Sequence, residues 1–454
     1  MKLYVLIRYD KYNQNNSITD AKNILLICKH SKSTGTYKNH KIMSVRSYLV
    51  TLKKQLETNS IKSPLRFVTG NQSADLDSVI SAISFAYFNY KKDKSLLIPL
   101  INISRSDFKL RRDIVTLLDS YSITEDSLYF IEDFKRITSS DIPIELTLVD
   151  HCNIQGDVFT DYFSKGKLDI VGIIDHHQDE SVFLNANPRI IHSNGSCSAL
   201  VFNYWYDQFS NKDIFYEKDN EIIPLLLGSL LIDTSNMSQK VEEGDVIAFK
   251  EYQNILQKNE ILLKGLGNYA CQSADNIEKL LKGYYKQIKV AKKDMKGFKF
   301  YDILKKDYKQ FKFTSRRNVS TAVGFSSIGK SFYWLLSNYS MQEISETFNE
   351  IMKDFNLDLL IMTTSYTRQE NDQYTREFSY AFNSSNSRKD ILLQLANLAN
   401  DELKLNSDIY KLENLNNYLA DLGNDQTFKI YNQNNTAASR KQIVPVIKDI
   451  LENN

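Results

Sequence analysis

Residues 170–177, I-V-G-I-I-D-H-H, pass from an apolar run directly into an aspartate and two histidines. Isoleucine and valine dominate the run, and a short β-branched run of this kind is typical of a buried strand. Asp175, His176 and His177 then fall at the carboxyl end of that strand and are three potential metal ligands. The stretch therefore predicts a strand whose tip carries a metal- or phosphate-binding site.

Two other short apolar runs, R-F-V-T (66–69) and L-T-L-V (146–149), also predict buried strands, and helical patterns lie between them. Such alternation predicts an α/β fold with a doubly wound, mostly parallel sheet. In sheets of this kind ligands bind at the carboxyl edge. Each predicted strand ends in polar residues, so we expect a functional site at that edge.

Further acidic residues follow the predicted strands or close the helices of this first region. They are Asp75 and Asp77 in G-N-Q-S-A-D-L-D-S (70–78), Asp150 in L-V-D-H-C-N (148–153) and Asp233 in L-L-I-D-T-S (230–235). Taken alone, an Asp-x-Asp at the start of a helix is more often a cap than a metal site. Several carboxylates converging on one edge, however, would need cations to neutralise them.

Histidine usage favours the metal interpretation. Of six histidines, His151, His176 and His177 follow an aspartate or another such histidine at a strand end, while His30, His40 and His192 are expected to be structural. Oxygen ligands with one or two imidazoles suit Mg²⁺ or Mn²⁺ better than zinc. The four cysteines, Cys28, Cys152, Cys197 and Cys271, show no CxxC spacing and predict reduced thiols rather than disulfides or a zinc site.

The chain has 454 residues, which favours two domains, and its 42% hydrophobic and 25% charged residues are typical of a soluble globular protein. No apolar run approaches the roughly 18 residues that span a bilayer. The net charge of +2 hides an asymmetry, because residues 281–330 hold fourteen Lys and Arg against three acids. That surplus of cations suggests an anionic ligand, although a solvated lysine-rich helix face would also explain it.

The ordered motifs resemble those of the DHH phosphoesterase superfamily. The set G-N-x-x-x-D-x-D-S, V-D-H, D-H-H and I-D-T is similar to the branch that contains family II inorganic pyrophosphatases, prune-type proteins and the exopolyphosphatases of yeasts. The resemblance extends through G-S-C-S-A-L (195–200) to K-K-D-Y-K (305–309), A-V-G-F-S-S-I (322–328) and S-R-K-Q-I-V-P (439–445).

This resemblance implies a catalytic domain followed by a smaller α/β DHH-associated domain, with the active site in the cleft between them. We expect an N-terminal extension over residues 1–42, a DHH domain over 43–245, a helical connection over 246–274 and a substrate-binding domain over 275–454. The extension is predicted to be disordered or non-translated. Its basic composition would also fit a mitochondrial presequence, so a mitochondrial pool is the alternative to a cytoplasmic location.

The resemblance also implies a site with two divalent cations, Mg²⁺ or Mn²⁺ and conceivably Co²⁺. The expected metal ligands are Asp75, Asp77, Asp150, His176 and Asp233, with Asp150 bridging the two ions. Asn71, Asp150 and His177 are the expected catalytic residues. His177, Lys309, Arg440 and Lys441 are the expected phosphate-binding residues, while the role of His151 stays open.

Two positions distinguish members of the branch. Family II pyrophosphatases have histidine where this chain has Asn71, and animal prune proteins have D-H-R where it has Asp175-His176-His177. Both favour an exopolyphosphatase, which hydrolyses the terminal phosphate of inorganic polyphosphate with a two-metal-activated water. A pyrophosphatase or a phosphatase of short or nucleoside polyphosphates is the enzymatic alternative, and a catalytically silent prune-like binding protein is the other. We expect a monomer with polyphosphate as substrate, and neither nucleic acid nor membrane as a partner.

Overall fold

Two six-stranded sheets organise the chain in this computed structural model. The structure describes residues 43–58, 63–138, 142–217, 220–267, 277–368, 370–406, 417 and 426–454. The predictions for residues 1–42, including His30 and His40, therefore lie outside the described residues, as do Cys28 and Cys271. The other two cysteines, Cys152 and Cys197, are buried free thiols.

The first sheet has the order β3-β2-β1-β4-β5-β6, and each of its neighbouring strands is parallel. Its strands are β1 (Leu65–Thr69), β2 (Ile98–Ile101), β3 (Tyr129–Phe130), β4 (Ile144–Val149), β5 (Leu168–Asp175) and β6 (Arg189–Ile191). The three apolar runs predicted as strands are thus β1, β4 and β5, and they are adjacent at the centre of the sheet. The prediction of a doubly wound, mostly parallel sheet is confirmed.

Helices connect and cover these strands, which gives the crossover connections that parallel strands require. The helices up to residue 267 are α1 (Val45–Glu57), α2 (Leu76–Asp93), α3 (Arg112–Asp119), α4 (Ile131–Ile137), α5 (Asp157–Ser164), α6 (Cys197–Gln208), α7 (Ile222–Asp233), α8 (Glu243–Lys258) and α9 (Glu260–Gly267). Short 3₁₀ helices span Arg105–Leu110, Glu125–Ser127 and Lys212–Tyr216. None of the helices in these described ranges combines the length and the hydropathy needed to cross a membrane.

Helix α2 is buried along most of its length, because its sequence L-D-S-V-I-S-A-I-S-F-A-Y-F-N-Y is apolar or small on every face. Asp75 precedes it and accepts a hydrogen bond from the Ser78 backbone N–H at 3.0 Å, which caps the helix. Gly70 allows the end of β1 to approach this first turn, since a Cβ there would lie 2.5 Å from Ser78 Cβ. The loop between β1 and α2 is consequently held close to the sheet edge.

The second sheet has the order β11-β12-β10-β9-β8-β7 and is antiparallel except for the parallel pair β8–β9. Its strands are β7 (Tyr308–Thr314), β8 (Ser320–Ile328), β9 (Leu359–Thr367), β10 (Tyr374–Asn383), β11 (Leu405–Asn406) and β12 (Gln426–Gln433). The accompanying helices are α10 (Ile277–Lys293), α11 (Phe300–Lys306), α12 (Phe332–Asn338), α13 (Met341–Asp354), α14 (Lys389–Leu398), α15 (Asn400–Leu403) and α16 (Arg440–Asn453). A second α/β lobe thus follows the first, as predicted.

The two lobes meet around the 3₁₀ helix Arg105–Leu110. Leu110 packs into the core of the second lobe together with Phe298, Phe300 and Leu304. Beside it, Lys305 forms an ion pair with Asp107 at 2.9 Å. Helix α10 contributes Leu281, Tyr284 and Ile288 to the core of the first lobe. The domain limits proposed at residues 245 and 274 stay predictions, since α8 runs across the first and residues 268–276 lie outside the described part.

Candidate metal centre

Asp150 occupies the first position after β4, where it is 2% exposed and has a φ of 62°. Its backbone N–H donates to the Ile174 carbonyl at 3.0 Å, which ties it to the end of β5. Its Oδ2 accepts hydrogen bonds from Asn71 Nδ2 at 2.8 Å and from Ser78 Oγ at 2.6 Å. Asp150 is therefore fixed by groups from both neighbouring strands, with Oδ1 left to face the histidines.

His176 lies against that free oxygen. Its Nε2 is 3.0 Å from Asp150 Oδ1 and 3.9 Å from Asp77 Oδ2. Its Nδ1 lies 2.9 Å from the Asn194 carbonyl oxygen, so this nitrogen carries a proton and donates it. Burial alone would lower the pKa of His176, but the hydrogen bond to Asp150 and the charge of Asp77 raise it to about 10. Nε2 is thus the nitrogen that faces the carboxylates, where a cation could replace its proton.

Asp175 orients its two successors. Its Oδ1 accepts hydrogen bonds from the backbone N–H of His176 at 2.7 Å, the backbone N–H of His177 at 3.2 Å and His177 Nδ1 at 2.8 Å. Burial opposes ionisation, yet the hydrogen bond and charge of His177 bring the pKa of Asp175 below its ordinary value. Of the three potential ligands at the tip of β5, Asp175 therefore orients the half-buried ring of His177 through Oδ1, while its own Oδ2 is buried without a hydrogen-bond partner among the described residues.

Asp77 lies in the first turn of α2 and is 3% exposed. Its carboxylate faces the amino terminus of α6. Its Oδ1 accepts from Ser196 Oγ at 2.7 Å, the Ser198 N–H at 2.8 Å and Ser229 Oγ at 3.0 Å, and its Oδ2 accepts from the Cys197 N–H at 2.6 Å. A carboxylate at a helix amino terminus is stabilised by the exposed N–H groups and the helix dipole. Oδ2, which has one donor, is the oxygen that approaches His176.

Asp233 ends α7, and its Oδ2 is buried without a hydrogen-bond partner among the described residues. Burial, followed by the charge of Asp77, raises the pKa of Asp233 well above its ordinary value. Burial and the charge of Asp75 likewise raise the pKa of Asp150 to about 6, against the effect of His176. These carboxylates disfavour each other's ionisation, which is the arrangement that a divalent cation relieves.

The donor set fits such a cation. One ligand atom each of Asp150, His176 and His177 lies within 4.8 Å of the others, and no ion is present in the structure. Of the five predicted metal ligands, Asp150 and His176 belong to this group, Asp77 lies 3.9 Å from His176, and Asp75 and Asp233 act on the group through their charge. Their roles as ligands stay a proposal.

The cations predicted to bind phosphate come from the second lobe. Burial and the charge of Arg440 lower the pKa of Lys309, while the charges of Asp75, Asp307 and Asp150 act in the opposite direction. Arg440 donates through Nη1 to the Asp307 carbonyl at 2.8 Å and through Nη2 to Asp307 Oδ1 at 2.7 Å. These two cations thus lie at the metal centre or beside it. Lys441 is exposed and makes none of the described contacts with these residues.

Arg111 is a residue of this region that sequence reasoning missed. It is 6% exposed and donates from Nε and Nη2 to the Ser73 carbonyl at 3.0 and 2.6 Å, while its Nη1 has no partner among the described residues. Burial lowers its pKa, and the charges of Asp307 and Asp113 oppose that change. Arg111 follows an ordinary polar stretch and belongs to no recognised motif, so no pattern in the sequence could have identified it.

Lys292 and Lys306 extend this positive region. Lys306 Nζ donates to the Lys292 carbonyl at 2.5 Å. Burial lowers the pKa of Lys306 to about 8, helped by the charges of Arg111 and Lys292 and opposed by that of Asp113. Lys292 is accessible to solvent. Both lysines belong to the cation-rich segment 281–330, so the charge count did point to them.

His151 and His192 are the other histidines in the described part of the chain. His151 is buried, and its Nδ1 lies 2.8 Å from the Val149 carbonyl oxygen. Burial lowers its pKa to about 4, which keeps the ring neutral. His192 is exposed and is held through its backbone N–H, which donates to the Asp175 carbonyl at 3.1 Å.

Comparison with protein families identifies the class that this fold and site define. The model "DHH family, N-terminal domain" matches residues 66–232, and the model "DHHA2 domain" matches residues 286–450. Together they cover roughly three quarters of the chain and correspond to its two lobes in order. The chain thus carries a domain of the DHH family followed by a DHHA2 domain.

Among individual relatives, a Schizosaccharomyces pombe protein named "Putative exopolyphosphatase" is 29% identical over 420 residues, which are 89% of this chain and 95% of that one. "Exopolyphosphatase PRUNE1" of Rattus norvegicus is 28% identical over 183 residues, 39% of this chain and 38% of that one. The predicted similarity to this branch is confirmed. A solved structure titled as a putative family II inorganic pyrophosphatase of Methanococcus jannaschii has 20% identity and a TM-score of 0.48, covering 85% of this chain and 99% of that one.

Proposed function

We propose that this protein is an exopolyphosphatase, a hydrolase of phosphoanhydride bonds that removes the terminal phosphate from inorganic polyphosphate with the help of two divalent cations. The observation that carries the proposal is the contact between Asp150 Oδ1 and His176 Nε2 at 3.0 Å, surrounded by Asp75, Asp77 and Asp233. The match to the DHH and DHHA2 models supports it, and so does the relative of nearly equal length whose name includes exopolyphosphatase.

The residues around the metal centre would have two roles, binding the cations and holding Asp150 in place. Asp75, Asp77, Asp150, His176 and Asp233 would hold Mg²⁺ or Mn²⁺, since their oxygens suit hard cations and one imidazole is compatible with either. Bound divalent cations lower the pKa of a coordinated water and neutralise phosphoryl oxygens. Asn71 and Ser78 would keep Asp150 in place, because both donate to its Oδ2.

The chemistry is hydrolysis of a phosphoanhydride. A water-derived oxygen forms a bond to the terminal phosphorus, the bridging P–O bond breaks, and the shortened chain leaves with the bridging oxygen. His177, oriented by Asp175, would contact the phosphoryl group through Nε2. Lys309 and Arg440 would neutralise the charge on its other oxygens, Arg440 with the planar fork that suits phosphate. Positioning and electrostatics supply most of the catalysis in such reactions.

A chain of phosphates needs more positive charge than one pyrophosphate does. Lys292, Lys306 and Arg111 add to the positive charge around the centre, because the charges of Arg111 and Lys292 act on Lys306 and the charge of Lys292 acts on Asp233. The buried Asp113 is close to all three of these additional cations and offsets only part of their charge. This surplus supports a substrate longer than pyrophosphate.

The test is phosphate release in the presence of Mg²⁺ from long-chain polyphosphate, tripolyphosphate and pyrophosphate, measured side by side. Faster release from polyphosphate than from pyrophosphate is the expected result. Dominant hydrolysis of pyrophosphate would replace the proposal with a pyrophosphatase. If none of the three substrates releases phosphate with Mg²⁺, Mn²⁺ or Co²⁺, the chain is not a hydrolase of these compounds and a prune-like binding role takes its place.

A further inference from the structure

A loop at residues 194–198, which follows β6 and includes the first two residues of α6, contacts two of the proposed metal ligands. The Asn194 carbonyl accepts the Nδ1 proton of His176 at 2.9 Å, so the loop sets the orientation of that ring. The Ser196 hydroxyl and the Cys197 and Ser198 N–H groups donate to Asp77 at 2.7, 2.6 and 2.8 Å. Any displacement of the loop would therefore move a nitrogen ligand and an oxygen ligand together.

Asp245 holds the same loop from its other side. It is the third residue of α8 and is 0% exposed. Its Oδ1 accepts from Asn194 Nδ2 at 2.7 Å and from the Ser196 N–H at 3.1 Å, and its Oδ2 accepts from the Gly195 N–H at 2.7 Å and from the Glu242 N–H at 2.9 Å. Each carboxylate oxygen thus accepts two N–H donors, three of the four from the loop.

The fit between Asp245 and the loop is close. A Cβ on Gly195 would lie 2.7 Å from Asp245 Oδ2 and 2.5 Å from the Lys240 carbonyl oxygen, so only glycine permits this approach. A Cβ on Gly244 would likewise lie 2.7 Å from Asn194 Oδ1. The loop is therefore closely packed at both Gly195 and Gly244, which restricts its movement.

We infer that Asp245 is a positioning residue of the metal centre, which acts through the 194–198 loop to orient His176 and Asp77 without contacting a metal ion or the substrate itself. This inference rests on the proposed function, since it concerns the same site. Groups that orient metal ligands tune metal affinity, and their loss typically costs about 10- to 100-fold. Sequence reasoning could not find Asp245, because it belongs to none of the recognised motifs.

The decisive variant is Asp245→Asn. Whichever way the amide is oriented, its NH₂ group replaces an oxygen that accepts two N–H donors, so the loop must move although the side chain keeps its shape. The matched control is Asp133→Asn in the same lobe. Asp133 is also the third residue of a helix, α4, and its Oδ2 accepts from the Phe130 N–H at 3.0 Å, but its side chain bonds to Arg105 and Arg136 rather than to the loop.

The experiment titrates the metal-free 454-residue proteins with Mn²⁺ by calorimetry and records thermal unfolding of each. Asp245→Asn is expected to bind Mn²⁺ at least about tenfold more weakly than the wild type, while Asp133→Asn loses stability and binds Mn²⁺ as the wild type does. Raising the Mn²⁺ concentration should restore part of the phosphate release by Asp245→Asn. Wild-type Mn²⁺ affinity in folded Asp245→Asn would overturn the inference.

If Asp245→Asn does not fold, Asn194→Ala takes its place. This variant removes the Nδ2 donor to Asp245 but keeps the carboxylate and the backbone N–H groups. Weaker Mn²⁺ binding by Asn194→Ala supports the positioning role, and unchanged binding overturns it. The two proposals fail separately: a wild type that binds Mn²⁺ but releases no phosphate contradicts the proposed function, whereas the Mn²⁺ titrations alone decide the role of Asp245.

Discussion

Asp150 Oδ1 lies 3.0 Å from His176 Nε2, although the two residues come from different strands and both are largely buried. Each has its second polar group occupied elsewhere, Asp150 Oδ2 by Asn71 and Ser78, and His176 Nδ1 by the Asn194 carbonyl. The two remaining atoms therefore face each other across the point where a cation would bind.

Asp150→Asn should lower turnover by at least about 100-fold, beyond the 10- to 100-fold loss that is typical of residues that only support a ligand. The amide oxygen can still accept from Asn71 and Ser78, and asparagine tolerates a positive φ, so the fold should persist. Its NH₂ group would face His176 and repel a cation. Phosphate release and thermal unfolding check this, with exposed Asp157→Asn as a control for charge. Near-normal turnover would contradict the bridging role.

Asp233→Asn should stabilise the metal-free protein near neutral pH, because burial and the charge of Asp77 raise the pKa of Asp233 and so disfavour its ionised form in the folded state. The same variant should lose most of the rise in melting temperature that Mn²⁺ produces in the wild type. Thermal unfolding with EDTA and with Mn²⁺ measures both effects. Asp169→Asn, at an exposed position of β5, is the matched control. If metal-free Asp233→Asn were less stable than the wild type, ionisation of Asp233 would not be unfavourable in the folded protein.

The stability of the metal-free protein should depend on pH through His176. Its folded pKa is raised from an ordinary 6.5 to about 10, so its contribution is fully present below pH 6.5 and is lost as the pH rises to about 10. The difference in free energy of unfolding between the wild type and His176→Gln, measured with EDTA, should shrink over that range. With Mn²⁺ the trend should reverse, since a ligand must be neutral. A pH-independent difference would contradict the contact.

Asn71→His should raise the ratio of activity with Mn²⁺ to activity with Mg²⁺. An imidazole in place of the amide offers a softer ligand, which Mn²⁺ or Co²⁺ accepts more readily than Mg²⁺ does. Asn71→Ala is the control, because it loses the 2.8 Å hydrogen bond to Asp150 without adding a ligand and should reduce activity with both ions alike. An unchanged ratio in Asn71→His would mean that this position does not decide the metal.

Lys292→Gln should raise KM for long-chain polyphosphate by up to about tenfold, the effect of about 1.4 kcal/mol, and change KM for tripolyphosphate less. The reason is that Lys292 adds to the positive charge around the centre, which a long chain of phosphates would use more fully than tripolyphosphate does. Lys282→Gln, an equally exposed lysine of α10, provides the same change in charge as a control. Equal changes for both substrates would place Lys292 outside the path of the chain.

The local pattern predicted much of the parallel sheet and of the acidic cluster. Short apolar runs identified β1, β4 and β5, and polar residues directly after β4 and β5 identified Asp150 and His176, whereas Asn71 was predicted from the family resemblance. These predictions succeed because a buried strand needs a continuous apolar run and because parallel strands bring their carboxyl ends to one edge. The charge count of the cation-rich segment 281–330 likewise indicated an anion-binding region, and this segment contains Lys292, Lys306 and Lys309.

Only tertiary packing could reveal which neighbour each of these groups has. Asp77 accepts from Cys197 across 120 positions, and Asn71 donates to Asp150 across 79. Asp175 resembles a ligand in the sequence, but its Oδ1 holds His177 in place, and Asp245 looks like an ordinary helix cap but holds the loop that contacts His176 and Asp77. The physical reason is that hydrophobic periodicity repeats along the chain and can therefore be recognised from neighbouring residues. A hydrogen bond between distant residues instead depends on one distance and one direction, and these exist only after the sheet and its helices have packed.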